Sequence, residues 1–578
     1  MQPDAQSPAT APLRAPDTVM TLARMGSFHQ TRLSFMRILL RRIKSEGWAF
    51  SRPRFDIDAR GVGIAVYTAH APQNAYSLVV FANDLPPEKR SDRVIATEWD
   101  ATFTLFDGIP TDADITRLRQ NVPRQEAGRI SAQELSLSRA NRSVRLWDHV
   151  VASLAAGQQP DPAMIGDVGY LMRTTAVYGS GKFGAADREA TQNRPEFSAP
   201  FQIEMLSVYL TRAFVMDLVE HMAYLRSPDT ATALTPALRR QFGIGNSTGL
   251  GMAPFLLNHP GLLHAWISAR ETALARVRAL PDASPSHVAQ FLQIVKRARL
   301  HADAWRSAHP VQQAKLADLR RDLTLLEAEI AAKDWASSAP WDRLWRWGET
   351  ALSLEGQEQL LALMLEPHAA LVDDLSDRMS CDERTTWQID GAMCCERLRA
   401  LLKTHYGWAL AIDWADPAAQ TKLWYVSQSK LEPRLGERAT EPLDDYEQPL
   451  CPGRDAARMW ADLKNFTGAT VADFALSHPE HRHILRRIQI TARRPYAEIR
   501  GNTIGAALLP IDMLRAKLSF FGACHFDPRS DRWVRITMFQ HAPFPDELAS
   551  CPADDWTYPS LTPQSPNMHF APTGASPA

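Results

Sequence analysis

The chain has 578 residues, length enough for about three to four units of ordinary domain size. Hydrophobic residues make up 45% and charged residues 22%, which excludes a chain disordered throughout and predicts a buried core. Lys and Arg total 64 against 65 Asp and Glu, a formal charge of -1, so no global field draws nucleic acid or an acidic membrane, and nucleic acid is disfavoured as a partner.

Residues 1–18 (MQPDAQSPATAPLRAPDT) are rich in Pro and Ala and read as a disordered tail. They lack the apolar stretch of a secretory signal, and no later run is apolar enough to predict a membrane span. The six cysteines (Cys381, Cys394, Cys395, Cys451, Cys524 and Cys551) make no CxxC pair and read as reduced thiols, which points to the cytoplasm. Whether the chain forms a homo-oligomer is left open.

The expected class is α+β multidomain. From 19 to 130 we expect a small α+β domain. Residues 31–45 place Leu33, Met36, Leu40 and Ile43 near one face of a helix. The period then changes, and 61–67, 76–81, 93–99 and 102–106 read as strands. Asn83-Asp84, Pro86-Pro87 and Asp107-Gly108 punctuate them, predicting an antiparallel β-meander packed on the first helix.

From 131 to 370 a mainly α-helical region is expected, with helices at 133–156, 201–224, 288–308 and 311–335. In the last two, Phe291, Val295, Ala298, Ala302 and Trp305, then Leu316, Leu319, Leu323, Leu326 and Ile330, recur at steps of three and four. Joined through His309-Pro310, these stripes predict an antiparallel helical hairpin. The tryptophans that follow (Trp335, Trp341, Trp345, Trp347) read as packing. From 371 to 556 an α+β domain is expected, with helices at 382–406, 454–466 and 471–489 and strands at 408–412, 422–426 and 532–539. Residues 557–578 read as a second disordered tail.

Two glycine-rich segments are the sharpest chemical features. Tyr178-Gly179-Ser180-Gly181-Lys182-Phe183-Gly184 matches G-x-G-x-x-G, in which glycines let backbone N–H groups approach a phosphate and Lys182 adds charge. The polar stretch after it is not the helix that a dinucleotide fingerprint requires. The second segment, Gly243 to Met252, supplies Gly245, Asn246, Ser247, Thr248, Gly249 and Gly251 as donors and close-approach positions. Between them, the helix at 201–224 carries Arg212, Asp217 and His221. Asp217 and His221 are four apart and share a face, the arrangement of an acid-oriented general base. Arg173 and Arg212 complete the expected anion contacts.

His478-Pro479-Glu480-His481-Arg482-His483 is the densest histidine cluster. It contains no H-E-x-x-H and no cysteine, and arginines follow it, so it reads as a basic helix and no metal is expected. Two functions are weighed. One is an enzyme acting on a small anionic metabolite, phosphorylated or carboxylated, through both glycine-rich segments, with no cofactor identified. The other is a scaffold or regulatory protein that binds a partner protein or nucleic acid through the hairpin and the basic helices at 37–44 and 482–494.

Overall fold

The computed structural model of the protein describes residues 10–90, 98–124, 130–179, 191, 193–246, 260–305, 310–379, 389–416, 424–427, 433–435, 447–450, 452–500, 510–522, 525–526 and 536–551. Seven strands lie in the first half of the described chain, the first largely exposed and the next four covered on both faces. These are β1 (Ala49–Ile57), β2 (Gly63–His70), β3 (Ala75–Ala82), β4 (Ala101–Asp107), β5 (Glu134–Arg142), β6 (Tyr170–Gly179) and β7 (Gly243–Asn246). Further along, β8 (Trp424–Ser427), β9 (Pro433–Leu435) and β10 (Glu447–Leu450) make a small separate sheet. The late strands β11 (His525–Phe526) and β12 (Ile536–Met538) return to the main sheet, whose order is β1-β2-β3-β4-β5-β6-β7-β12-β11.

In β2, Ile64 and Val66 face one layer while Ala65, Tyr67 and Ala69 face the other, the two-residue period of a strand. The helices are α1 (Phe35–Ser45), α2 (Asp112–Asn121), α3 (Trp147–Ala155) and α4 (Gln202–Arg226). The layer with Ile64 is closed by Ile115 and Leu118 of α2, whose start is fixed by a Thr111–Asp114 capping box. The other layer is crossed by α4, about 37 Å long at 1.5 Å per residue. Its Phe214 meets the rings of Tyr67 and Phe103 edge-on.

Next come α5 (Pro260–Arg278), α6 (Pro285–Ala304), α7 (Pro310–Ala332), α8 (Pro340–Ala351) and α9 (Leu354–Met364). The expected hairpin is α6 and α7, with Phe291, Val295, Ala298, Leu316, Leu319, Leu323, Leu326 and Ile330 buried along the seam. Both helices also pack on α9, so the pair is part of a bundle. Trp341 and Trp345 are fully buried beside it, as packing residues. The chain continues through α10 (Cys395–Leu410), α11 (Pro452–Asn465), α12 (Val471–Ser477), α13 (Arg482–Arg493) and α14 (Pro510–Phe521). Helices α10 to α13 enclose a second core around Leu398, Leu402, Tyr406, Met459, Leu463, Phe474 and Ile488. The architecture is α+β, with a main core running from Val19 to Leu548 that does not break at residue 130.

Several local expectations differ from the structure for identifiable reasons. Residues 133–156 are not one helix: β5 comes first, because Leu135-Ser136-Leu137-Ser138 alternates, and α3 follows. The run at 408–412 is not a strand, because Leu398, Leu402, Tyr406 and Ala409 carry a helical period into it. The helix expected at 471–489 breaks at Pro479, whose ring and missing N–H interrupt the ladder. Strand β1 has a weak sequence signal because Pro53 interrupts it, and an edge strand tolerates that proline at a register shift between Ser51 and Arg54. Most of the strand expected at 93–99 and the tail at 557–578 lie outside the described residues.

Residues 10–18, expected to belong to a tail, are largely exposed but anchored at two points. Ala11 donates its backbone N–H to Ala275, and the Arg14 side chain is buried between Glu271 and Glu358. Those partners are 257 and 344 residues away, so the local composition carries no trace of them. No helix among the described residues is long and apolar enough to cross a membrane.

Candidate functional site

Strands β6 and β7 are the only parallel neighbours among the described strands, with Tyr170 opposite Gly243, Arg173 opposite Gly245 and Thr174 opposite Asn246. Both therefore end toward the same edge of the sheet. The first glycine-rich segment leaves from the end of β6 and the second from the end of β7. Open α/β sheets bind ligands at carboxyl ends of parallel strands, where departing loops leave a crevice. Here a parallel pair is set into an otherwise antiparallel sheet, and β6 runs five residues past the row of Asn246.

The end of β7 is tied to the middle of β6, five residues before Gly179. Thr174 donates its hydroxyl to the Gly245 carbonyl at 3.2 Å, and Asn246 donates its side-chain amide to Thr174 at 3.4 Å. Arg173 is buried next to them. Tyr178 and Gly179 close β6 opposite Leu137 and Ser136. Gly245 has a packing reason to be glycine, since a Cβ there would stand 2.6 Å from the Tyr170 ring. Gly181, Lys182, Gly184, Ser247, Thr248, Gly249 and Gly251 lie outside the described residues.

Where the first segment re-enters, Arg194 makes a two-pronged ion pair with Asp107, both bonds 2.7 Å. It also donates to the Tyr76 hydroxyl at 3.3 Å. Tyr76 in turn donates to Glu196, which accepts a further bond from Asn74 at 2.6 Å. Burial and the Glu196 carboxylate both hold the Tyr76 phenol well above its ordinary pKa, so it stays protonated. The register puts this cluster at the level of the end of β6: Gly179 faces Ser136, Glu134 faces Phe106, and Ser77 faces Phe106. Its members lie up to 122 residues apart, so sequence spacing gives no sign of them.

The residues expected on the central helix lie elsewhere. Asp217 accepts from Arg52 and from the Tyr67 hydroxyl, both at 2.7 Å, not from His221. The His221 Nε2 is 3.0 Å from the Ile57 carbonyl, and its ring meets Phe55 edge-on. Ile57 ends β1, and the nearby β1–β2 turn brings Gly61 beside Met222. The register puts Ile57 at the level of Thr174 and Asn246, six strands across the sheet from β7 and away from the Gly179 end of β6. Asp217 and His221 bind helix α4 to β1 and β2. Arg212 is also buried, donating to the Phe242 carbonyl at 2.7 Å and the Ala542 carbonyl at 2.8 Å. Phe242 stands just before β7, at the end of that strand away from Asn246. No protein-family model, no curated protein and no solved structure matches this chain.

Proposed function

We propose that the protein binds a small anionic metabolite, phosphorylated or carboxylated, at the edge where β6 and β7 end. The observation that supports this reading is that the two glycine-rich segments leave in the same direction from neighbouring strands, the one parallel pair among the described strands. Backbone N–H groups of such segments suit an anion, and Lys182 supplies a charge. An enzymatic role would draw on the groups of that edge, Tyr76, Arg194 and Glu196, rather than on Asp217 and His221. A partner-binding role for the hairpin has less support, because its apolar seam is spent within the α6, α7 and α9 bundle.

Thermal denaturation against inorganic phosphate, nucleotides and small carboxylates tests this. A ligand at ~100 times its Kd adds about 2.7 kcal/mol of stability. Lys182→Ala is expected to weaken the effective anion about 10- to 100-fold, the scale of one charge-assisted hydrogen bond at ~1.5–3 kcal/mol. A response unchanged in Lys182→Ala, or no response of the unaltered chain to any of these anions, would contradict the reading.

A further inference from the structure

The histidine cluster at 478–483 takes on a different meaning once the chain is folded. Pro479 ends α12, and the tight turn Pro479–His481 redirects the chain into α13. That turn sets His478, Glu480 and His481 against α11, which contributes Asp462. One ligand atom from each of the four residues lies within 4.8 Å of all the others. His481 Nε2 is 2.7 Å from the Asp462 carboxylate and 3.9 Å from Glu480 Oε1. His478 Nδ1 is 3.3 Å from that same Glu480 oxygen. Metal–ligand bonds of ~2.0–2.2 Å in a tetrahedron put ligand atoms about 3.3–3.6 Å apart, so small side-chain rotations close the set.

The imidazoles are held in place by packing. The buried Phe474 ring lies parallel to His481, with 2° between planes, and its centroid is 4.9 Å from that of His478. The His481 side chain is 7% exposed, whereas Glu480 is 59% exposed and leaves a path in from solvent. Two neutral imidazoles and two carboxylates balance a divalent charge. Mixed nitrogen and oxygen ligands with two imidazoles suit zinc better than calcium or magnesium, which take oxygen shells.

We propose that Asp462, His478, Glu480 and His481 form a structural zinc site that staples the α12–α13 turn to α11. Four protein ligands complete the shell, as in sites that stabilise a fold. The enclosed core is small, so the metal adds to the stability of the α10–α13 unit. This site is independent of the β6/β7 edge.

The full chain, stripped with a chelator and desalted, is titrated with Zn2+ against a fluorescent zinc indicator, and separately with Co2+. One equivalent is expected to bind, the Co2+ form is expected to show the intense visible bands of four-coordinate cobalt, and the denaturation midpoint is expected to rise. The double variant His478→Ala/His481→Ala is expected to weaken binding more than about 100-fold, because losing even a partner of a ligand costs 10–100-fold. Asp462→Asn, which keeps the shape and a hydrogen bond to His481, is expected to weaken binding with the fold intact by circular dichroism. His483→Ala, whose ring faces Asp455 at 3.5 Å, is expected to bind as the unaltered chain does. No stoichiometric Zn2+ on the unaltered chain, or undiminished binding in both the double variant and Asp462→Asn, would overturn the proposal.

Discussion

Glu358→Ala is expected to destabilise the protein by about 3–5 kcal/mol at neutral pH, the scale for removing one partner of a buried ion pair. Glu358 on α9 sits 2.8 Å from Arg14, 3.0 Å from Arg24 and 3.7 Å from Arg270, with its side chain 1% exposed. Glu271 is the other acid, bonded to Arg14 and Arg270 at 2.8 and 3.1 Å. Removing Glu358 leaves three guanidinium groups around one carboxylate in a dry setting. An exposed pair such as Lys89 with Glu98 is worth only about 0–1 kcal/mol, so Lys89→Ala is the control. Urea denaturation followed by far-UV circular dichroism reads both. A Glu358→Ala midpoint as high as that of Lys89→Ala would contradict the account.

The same group predicts an acid limb. Burial pushes the Glu358 pKa up, but Arg14, Arg270 and Arg24 outweigh it and hold it at about 2, against an ordinary 4.5. A depressed folded-state pKa means stability is present above the ordinary value and is lost as pH falls from about 4.5 toward about 2. Glu366, buried against Arg37 and His29, is held well below its ordinary value and acts in the same direction. The native chain is expected to lose stability across that acid range more steeply than Glu358→Gln, which has no charge there to lose. Parallel pH profiles for the two would contradict this.

Arg212→Ala is also expected to cost about 3–5 kcal/mol, roughly the sum expected when several buried carbonyls lose their donor. Its guanidinium, fully buried, bonds the Phe242 and Ala542 carbonyls, reaches the Arg240 carbonyl at 3.3 Å, and lies 3.8 Å from the centre of the Phe544 ring. Tyr209, one turn earlier, donates to the Pro543 carbonyl at 3.1 Å. Together they clamp residues 539–551 onto α4 and β7. Arg212→Lys is not expected to rescue, because a single ammonium cannot span three carbonyls and stack on a ring. Limited proteolysis is expected to cut near 539–551 first in both variants. An Arg212→Lys variant as stable as the native chain would contradict this role.

Much of the helical framework was legible because its signal is local. The α1 stripe and the α6–α7 seam repeat at three and four residues, and the structure buries those positions. Signals that compete within a few residues were harder to read. Strand β5 runs into α3 without a strong turn, and the apolar 408–412 run hides the end of α10. What joins distant parts was not legible at all. Arg37 lies off the apolar stripe of α1, yet it is buried on Glu366, 329 residues away. Asp462 stands 16 residues before His478 on another helix, so the histidine spacing looks incomplete until the chain folds. At the candidate site the two glycine-rich segments were visible, but that they leave neighbouring parallel strands depends on a strand pairing across the whole of α4. The acid–histidine spacing of Asp217 and His221 was real helix geometry, but β1 and β2 take up both side chains.

Hydrogen–deuterium exchange of the native chain, with and without a saturating anion chosen by the thermal screen, bears most directly on whether the two distant glycine-rich segments hold a single ligand. Peptides covering residues 176–190 and 244–256 are expected to slow together, while the stretch around His221 keeps its rate. Protection confined to one of the two segments, or to neither, would contradict a shared site.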